Sequence, residues 1–477
     1  MLIKSSLWKS RLNKKVNNTL SLAKKTYDKA FDRHVCIGIT GLSRSGKTTL
    51  ITSLINQLCH YDTAKLAGFP PIQADRLLGV KLHPLDDLPM FPYTAGYQKI
   101  TAAQPEWPDS TSEISGCLIE LRLKKSHKSL VGKDNYSLFI ELRDYPGEWL
   151  LDLPLRDMSF VRWCGLCSAQ YLHSPRLELL GSLLDEFKQL DPFAPVDKEK
   201  LHTLNEQYKQ FLSHCKNDEK SLSLIQPGRF LIPGKLPDAD IVNFIPLLAC
   251  IGVEESELEQ ASEHSYYKVC KRRYQRYIKE LVEPFYTEFF SGIDRQLVLV
   301  DVISALHSGP AYLDDMRQAL TNITQSFSYG NQSRLRQLFS PKVDRLIFAA
   351  TKIDLVLSKE HEAVRQLLSA VVRSAYKHAR SDGISPICEA VAAVRASNES
   401  SHIDNALEIL TPEGKRLGYV PPVMPSKLPD DKDWQALQGW VLPELSPPRG
   451  LSSKNNTALP HIRLDTLLNE LIGDKCP

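Results

Sequence analysis

The stretch GLSRSGKT at residues 41–48 constrains this chain more than any other part of it. It follows the apolar run VCIGI at 35–39 and precedes Leu50, Ile51, Leu54, Ile55 and Leu58, which share one helical face. A buried strand that turns through glycines into a helix N-terminus presents backbone N–H groups and a positive dipole end to phosphate. In the pattern G-x-x-x-x-G-K-[ST], Gly41 and Gly46 permit the turn, Lys47 reaches the β- and γ-phosphates, and Thr48 offers a hydroxyl to Mg²⁺. Ser43, Arg44, Ser45 and Thr49 complete the residues expected around the nucleotide.

A phosphate loop needs a second carboxylate near Mg²⁺, at the end of a neighbouring strand. Two alternating segments, 117–124 and 137–143, read as an antiparallel hairpin. The second of them runs into RDYPGE at 143–148. Asp144 is the expected metal carboxylate, and Gly147 is expected to offer its N–H to the γ-phosphate. Apolar runs at 296–302 and 346–351 read as buried strands, with 387–394 as a third candidate. The second run leads into Thr351-Lys352-Ile353-Asp354. An Asp in [NT]-K-x-D accepts from guanine N1–H and the 2-amino group, which adenine lacks. The mismatch would leave buried polar groups unpaired, at about 1–3 kcal/mol each. Lys352 is expected to lie along the base plane, and Ala393, Val394 and Arg395 form the candidate late loop contacting the base.

Strands alternating with helices imply an α/β fold with a mostly parallel sheet flanked by helices. The intervening residues have mostly helical patterning, so an all-α domain is expected to interrupt the sheet. The expected division is 1–32, a basic amphipathic helix; 33–149, the first half of the core; 150–292, the inserted helices; 293–400, the second half; and 401–477, a proline-rich extension ending in a helix near 464–471. Within the insertion, Ser174-Pro175 is read as opening a helix through Phe187, and a long helix is expected from about Glu254 to Leu281, to be bent or ended by Pro284. Its basic stripe, interleaved with Tyr266, Tyr267, Tyr274 and Tyr277, reads as a solvated face over a tyrosine-lined core. Residues 60–110 show no sustained period and read as a loop with short helices.

Composition sets outer bounds. A net charge of +3 in 477 residues gives no argument for nucleic acid as a partner. Ten scattered cysteines, no apolar run long enough to span a bilayer and no secretory leader point to a reducing cytoplasm. Cys164 and Cys167 form a CxxC inside a helical segment, which reads as packing rather than redox chemistry. The histidines show no metal-binding spacing. Residues 1–30 carry eight Lys/Arg against one acid, which suits docking on the protein itself or peripheral contact with an anionic inner-membrane surface.

The order of these motifs resembles that of Ras-like GTPases over roughly 33–148 and 295–397. The segments ITGLSRSGKTTL and LRDYPGEWL, with the insertion and the length, resemble the YcjX-like family across nearly the whole chain. That resemblance implies a bacterial stress-associated P-loop protein linked with the phage-shock response, in a family often labelled ATPase. It implies Mg²⁺ with GTP/GDP, and a switch threonine covering metal and γ-phosphate before the second strand. Thr111 is the natural match, with Ser110 and Thr94 as alternatives; Thr48, Thr111 and Asp144 then form the metal set, and Lys47, Thr111, Gly147 and Glu148 the catalytic one. Two departures stand out. Glu148 occupies a position usually held by Gln; a carboxylate can still hold water, but beside γ-phosphate it adds repulsion, so intrinsic hydrolysis is expected either to be slow or to use another group. Ser43 and Arg44 replace glycines of Ras. The leading reading is a slow GTP-hydrolysing switch, with an unidentified protein effector engaging the switch loops and the helical insertion. An ATPase with an assembly role and a nucleotide-bound membrane-stress scaffold are the competing readings.

Overall fold

The computed structural model describes residues 33–42, 44–126, 134–217, 220–328, 343–373, 385–451 and 458–476. The basic segment at 1–32 lies outside the described residues. Seven strands form the central sheet: β1 (His34–Gly41), β2 (Leu77–His83), β3 (Ser115–Lys124), β4 (Asn135–Asp144), β5 (Arg295–Val300), β6 (Arg345–Ala350) and β7 (Ser385–Ala390). Their order is β2-β3-β4-β1-β5-β6-β7. The β4-β1-β5-β6-β7 pairings are parallel, and within this sheet β3 alone runs against the other strands, pairing antiparallel with both β2 and β4. The class is α/β, and the sheet is mostly parallel.

The central strands are buried on both faces. In β5, Leu297 and Leu299 join α1 (Lys47–Cys59) in one core, while Val298 and Val300 join the other. This is why they read as unbroken apolar runs rather than alternating ones. Helices of eight or more residues continue with α2 (Tyr93–Ile100), α3 (Phe160–Tyr171), α4 (Lys198–Asn217), α5 (Tyr266–Tyr277), α6 (Pro310–Ser328), α7 (His361–Val371) and α8 (Leu464–Ile472). Those between β4 and β5 pack on an aromatic centre: Trp163 stacks on Tyr274 at 5.4 Å, and Phe244 meets Trp163 edge-on at 5.4 Å. That centre is continuous with Val298, Val300, Leu346 and Phe348 on the sheet. The helical block and the sheet therefore share one apolar core.

Several local expectations change. β2 lies within the segment read as a loop; it is an edge strand with a register shift at Leu77/Gly79, so it shows no clean alternation. The long helix expected from Glu254 is two, Glu255–Glu259 and α5, because Ser265 starts a new helix by accepting from Lys268 N–H at 3.3 Å. Pro284 does not end the helical run beyond α5: π-type turns at Ile278–Val282 and Phe285–Phe289 flank the proline and absorb its missing donor. The helix expected from Pro175 through Phe187 is broken at Gly181, whose φ of +54° ends Arg176–Leu180 before Leu183–Gln189 begins. A small antiparallel sheet of β8 (Ser397–Glu399), β9 (Leu407–Leu410) and β10 (Arg416–Tyr419) has strands too short for a period to register.

The basic stripe of α5 meets local acids: Lys268 and Lys271 on Glu259, Arg273 on Asp240, and Arg276 on Asp238 and Glu280. The four tyrosines face inward. Cys164 and Cys167 are buried in α3, where burial pushes the Cys164 thiol far up and the Cys167 thiol up to about 12, against redox use. Among the described residues no helix is long and apolar enough to cross a membrane.

Asp152 ties the block to the segment after β4. Its carboxylate accepts from Tyr277 Oη at 2.5 Å and from Gly228 N–H at 2.9 Å. Burial nevertheless pushes its carboxyl up to about 7, with the Tyr277 and Gly228 bonds opposing. A raised folded pKa means the stability contributed by this group is fully present below the unfolded value and is lost as pH rises through the folded one. Asp152→Asn removes this titration. Its unfolding free energy relative to wild type is expected to improve by up to about 1.4 kcal/mol per pH unit between about pH 4 and 7, measured by denaturant titration at several pH values.

Candidate functional site

The phosphate loop is built where β1 ends. Gly46, at φ +77°, precedes the first residue of α1, and Arg44 takes φ +59°. Ser43 lies outside the described residues. Two glycines are required by close approach. A Cβ on Gly41 would stand 2.0 Å from Ser45 Oγ, and one on Gly147 would stand 2.0 Å from the Gly41 carbonyl oxygen. The turn after β4 therefore rests directly on the loop after β1. Ser45 is buried, and Thr49 lies half-buried in the first turn of α1.

Strand register brings the polar residues together. Asp144 is the last residue of β4, opposite Ile39 of β1 and Ser115 of β3. Its carboxylate pairs with the Lys47 ammonium and accepts from Thr111 Oγ1 at 2.9 Å. Thr111 Oγ1 is also 3.2 Å from Thr48 Oγ1. Of the three candidates for the switch position, Thr111 is the one that meets both Thr48 and Asp144. Burial lowers the Lys47 pKa, opposed chiefly by Asp144 and further by Glu148. Two hydroxyls and one carboxylate are hard oxygen donors, a set that fits Mg²⁺.

The residues after Gly147 are enclosed. Glu148 is buried, and its Oε1 lies 2.7 Å from Lys216 Nζ, at the end of α4. The neighbouring Asn217 carbonyl accepts from Arg44 Nη2 at 2.7 Å. Sequence reasoning missed Lys216 and Asn217, because nothing local in KQFLSHCKN connects the first to Glu148 or the second to Arg44, 173 residues earlier.

At the other end, Thr351, Lys352 and Asp354 follow β6. Lys352 adopts φ +60°, and its Nζ lies 2.6 Å from Asp301 Oδ2, just after β5. Asp354 Oδ2 accepts from Ala396 N–H at 2.9 Å, and the Asp354 carbonyl accepts from Ser397 Oγ. Burial pushes the Asp354 carboxyl up to about 6, with the Ala396 hydrogen bond opposing. The candidate loop is held from two sides. The Ala393 carbonyl accepts from Ser53 Oγ at 2.5 Å, Val394 is buried, and Arg395 is exposed but donates its N–H to Pro460 O at 2.8 Å. The residues meeting Asp354 are thus the next two, Ala396 and Ser397, for which a small residue followed by a hydroxyl was the only signal.

The C-terminal region also borders the site. Ala392 and Ile462 exchange backbone bonds, Leu459 N–H donates to Asn56 Oδ1 at 2.8 Å, and Trp107 Nε1 donates to Leu445 O at 2.7 Å.

Comparison with known proteins agrees with this architecture. Residues 35–476 match the family described as "YcjX-like family, DUF463". A protein of Escherichia coli (strain K12) named Ras-like GTPase YcjX is 38% identical over 459 residues, covering 94% of this chain and 97% of the relative. A Shewanella oneidensis (strain MR-1) protein of the same name is 35% identical over 466 residues, covering 93% of this chain and 95% of the relative. With a family match over nearly its whole described length and two such relatives, the chain belongs to the YcjX-like family.

Proposed function

We propose that this chain is a GTP-binding switch of the Ras-like P-loop class that hydrolyses GTP slowly. One observation carries the reading: Lys47, Thr48, Thr111 and Asp144, from three separate segments, are in mutual contact beside the Gly41–Gly147 backbone junction. Two relatives bearing the name Ras-like GTPase support guanine as the base.

The loop N–H groups of 41–48 and the ammonium of Lys47 would hold the β- and γ-phosphates. Asp144 is at present the partner of Lys47, so a triphosphate competes with it for the buried cation. Thr48, Thr111 and Asp144 would hold Mg²⁺, which supplies charge neutralisation to the phosphates when bound. Thr111 and the Gly147 N–H would sense the γ-phosphate, and its loss would release the loops that carry them. Glu148 would orient the attacking water. Its negative charge next to phosphate oxygens is the reason for a low intrinsic rate. Lys352 and Asp354 would select the base, with Ala393, Val394 and Arg395 shaping that end. The stress-response role, with an effector on the helical block and peripheral membrane contact through residues 1–30, is proposed from the family resemblance and the basic N-terminus.

Isothermal titration with Mg²⁺ is expected to show GTP and GDP binding at least about tenfold tighter than ATP, since each buried polar mismatch costs about 1–3 kcal/mol. ATP binding as tight as GTP would refute guanine selection. Asp354→Asn is expected to weaken GTP and to strengthen xanthosine triphosphate, whose 2-oxo group suits an amide donor. An unchanged preference would remove Asp354 from the base site.

The same carboxylate sets a pH dependence. Guanine needs it ionised, and its folded pKa is raised to about 6. GTP affinity is therefore expected to hold above pH 7 and to fall below about pH 6, approaching about tenfold per pH unit. ATP affinity, or GTP affinity in Asp354→Asn, is expected to lack that fall when titrated over the same range.

A further inference from the structure

Lys216 and Asn217 are consecutive residues in the last turn of α4, yet they reach both walls of the phosphate site. Asn217 O receives Arg44 of the phosphate loop at 2.7 Å, and Lys216 Nζ stands 2.7 Å from Glu148 Oε1. The arginine satisfies a carbonyl of the kind a helix leaves unpaired at its C-terminus, where cations are favoured. The lysine–glutamate contact differs in kind. Its side chains are 18% and 10% exposed, so neither charge is well hydrated without the other.

Glu148 is fixed along its backbone as well. A Cβ on Gly228 would stand 2.2 Å from the Glu148 carbonyl oxygen, so the segment around Gly228 lies flush on this turn. Gln226 Nε2 donates to Leu151 O at 2.6 Å, and Trp149 Nε1 donates to Ile232 O at 2.7 Å. The helical block thus sets both the path of residues 148–152 and the cation that the Glu148 carboxylate meets.

We infer that Lys216 is a positioning residue for hydrolysis: it offsets part of the Glu148 charge and holds its carboxylate so that the carboxylate can orient water beside the γ-phosphate. The inference rests on the proposed GTPase activity. In the reaction, water oxygen bonds to the γ-phosphorus and the bond from that phosphorus to the β–γ bridging oxygen breaks. GDP leaves with the electron pair, and the proton of the attacking water passes to the phosphate product or to solvent. Lys216 acts only through Glu148. Without it, the carboxylate loses the partner that holds it toward the attacking water. Because Arg44 is held by the adjacent Asn217, displacement of the α4 tip withdraws the partner of Glu148 and frees the phosphate loop together. The helical block can therefore gate turnover.

The test is single-turnover GTP hydrolysis and GTP affinity of the full chain for wild type, Lys216→Met, Lys216→Gln, Lys216→Arg, Glu148→Gln and Glu148→Gln/Lys216→Met. Lys216→Met and Lys216→Gln are expected to lower the rate at least about tenfold with GTP affinity within about threefold, and Lys216→Arg to restore most of the loss. In the Glu148→Gln background, Lys216→Met is expected to change the rate by less than about twofold, because no carboxylate remains to be held. An equal loss in both backgrounds, an unchanged rate or a faster one would overturn the inference. A wild type that binds GTP without hydrolysing it would overturn it while leaving guanine binding intact, and a wild type that binds no GTP would overturn both.

Discussion

The carboxylate of Asp144 is the constraint on which the rest of the site depends. It ends β4, pairs with Lys47 from the loop after β1, and accepts from Thr111 in the segment before β3. These groups meet because Ile39 and Ser115 lie opposite Asp144 in the two flanking pairings. A slip of one residue in either pairing would turn the carboxylate to the other face and leave a buried ammonium without a counter-charge. The seven-stranded sheet is in this sense a device for register. Its apolar sequence fixes the faces, and the faces fix where four polar side chains converge.

Legibility followed burial and locality. The runs at 35–39, 296–302 and 346–351 were readable because strands buried on both sides are apolar at consecutive positions, as in Leu297–Val300 and Leu346–Ala350, and the hairpin was readable because its alternation is clean. β2 was not, since an edge strand with a register shift has neither pattern. Asp144 and the phosphate loop could be placed from strand ends, and Thr111 from the resemblance to Ras-like GTPases, with Ser110 and Thr94 left as alternatives. Lys216 and Ala396 could not, because their partners Glu148 and Asp354 are brought to them by the packing of the helical block and of the loop after β7. The break before α5 was written in the sequence as Ser265, but the helical spacing on either side outweighed it.

The region after residue 400 is bound into the site rather than appended to it. Arg295, on a central strand, forks onto Asp474 at 2.6 Å through both terminal nitrogens, and Asp465 accepts from Gly68 N–H at 2.7 Å. Through Ile462 and Pro460 the same stretch holds the loop that faces Asp354. This enclosure is why the Asp354 carboxyl is desolvated and sits near 6. In the proposed function, selection of the base and sensitivity to pH would be two results of one closure: the dry surroundings that make an unpaired group costly also penalise the free carboxylate.

The shared core limits how the helical block can respond. Tyr145, Trp149, Phe285 and Phe289 lie in the same apolar cluster as Val298 and Val300 of the sheet. Each aromatic buries about 150–250 Å², so lifting the block away as a rigid body would expose several such side chains at about 25 cal/mol per Å². A ligand that adds one phosphate does not bring differential energy on that scale. The polar contacts at the edge are much cheaper to rearrange. They comprise Lys216 on Glu148, Asn217 on Arg44, and Asp152 with Gly228 and Tyr277. A switch of the kind proposed would therefore work through a local shift of the α4 tip and the 226–232 segment, with the aromatic core as the fixed body against which they move.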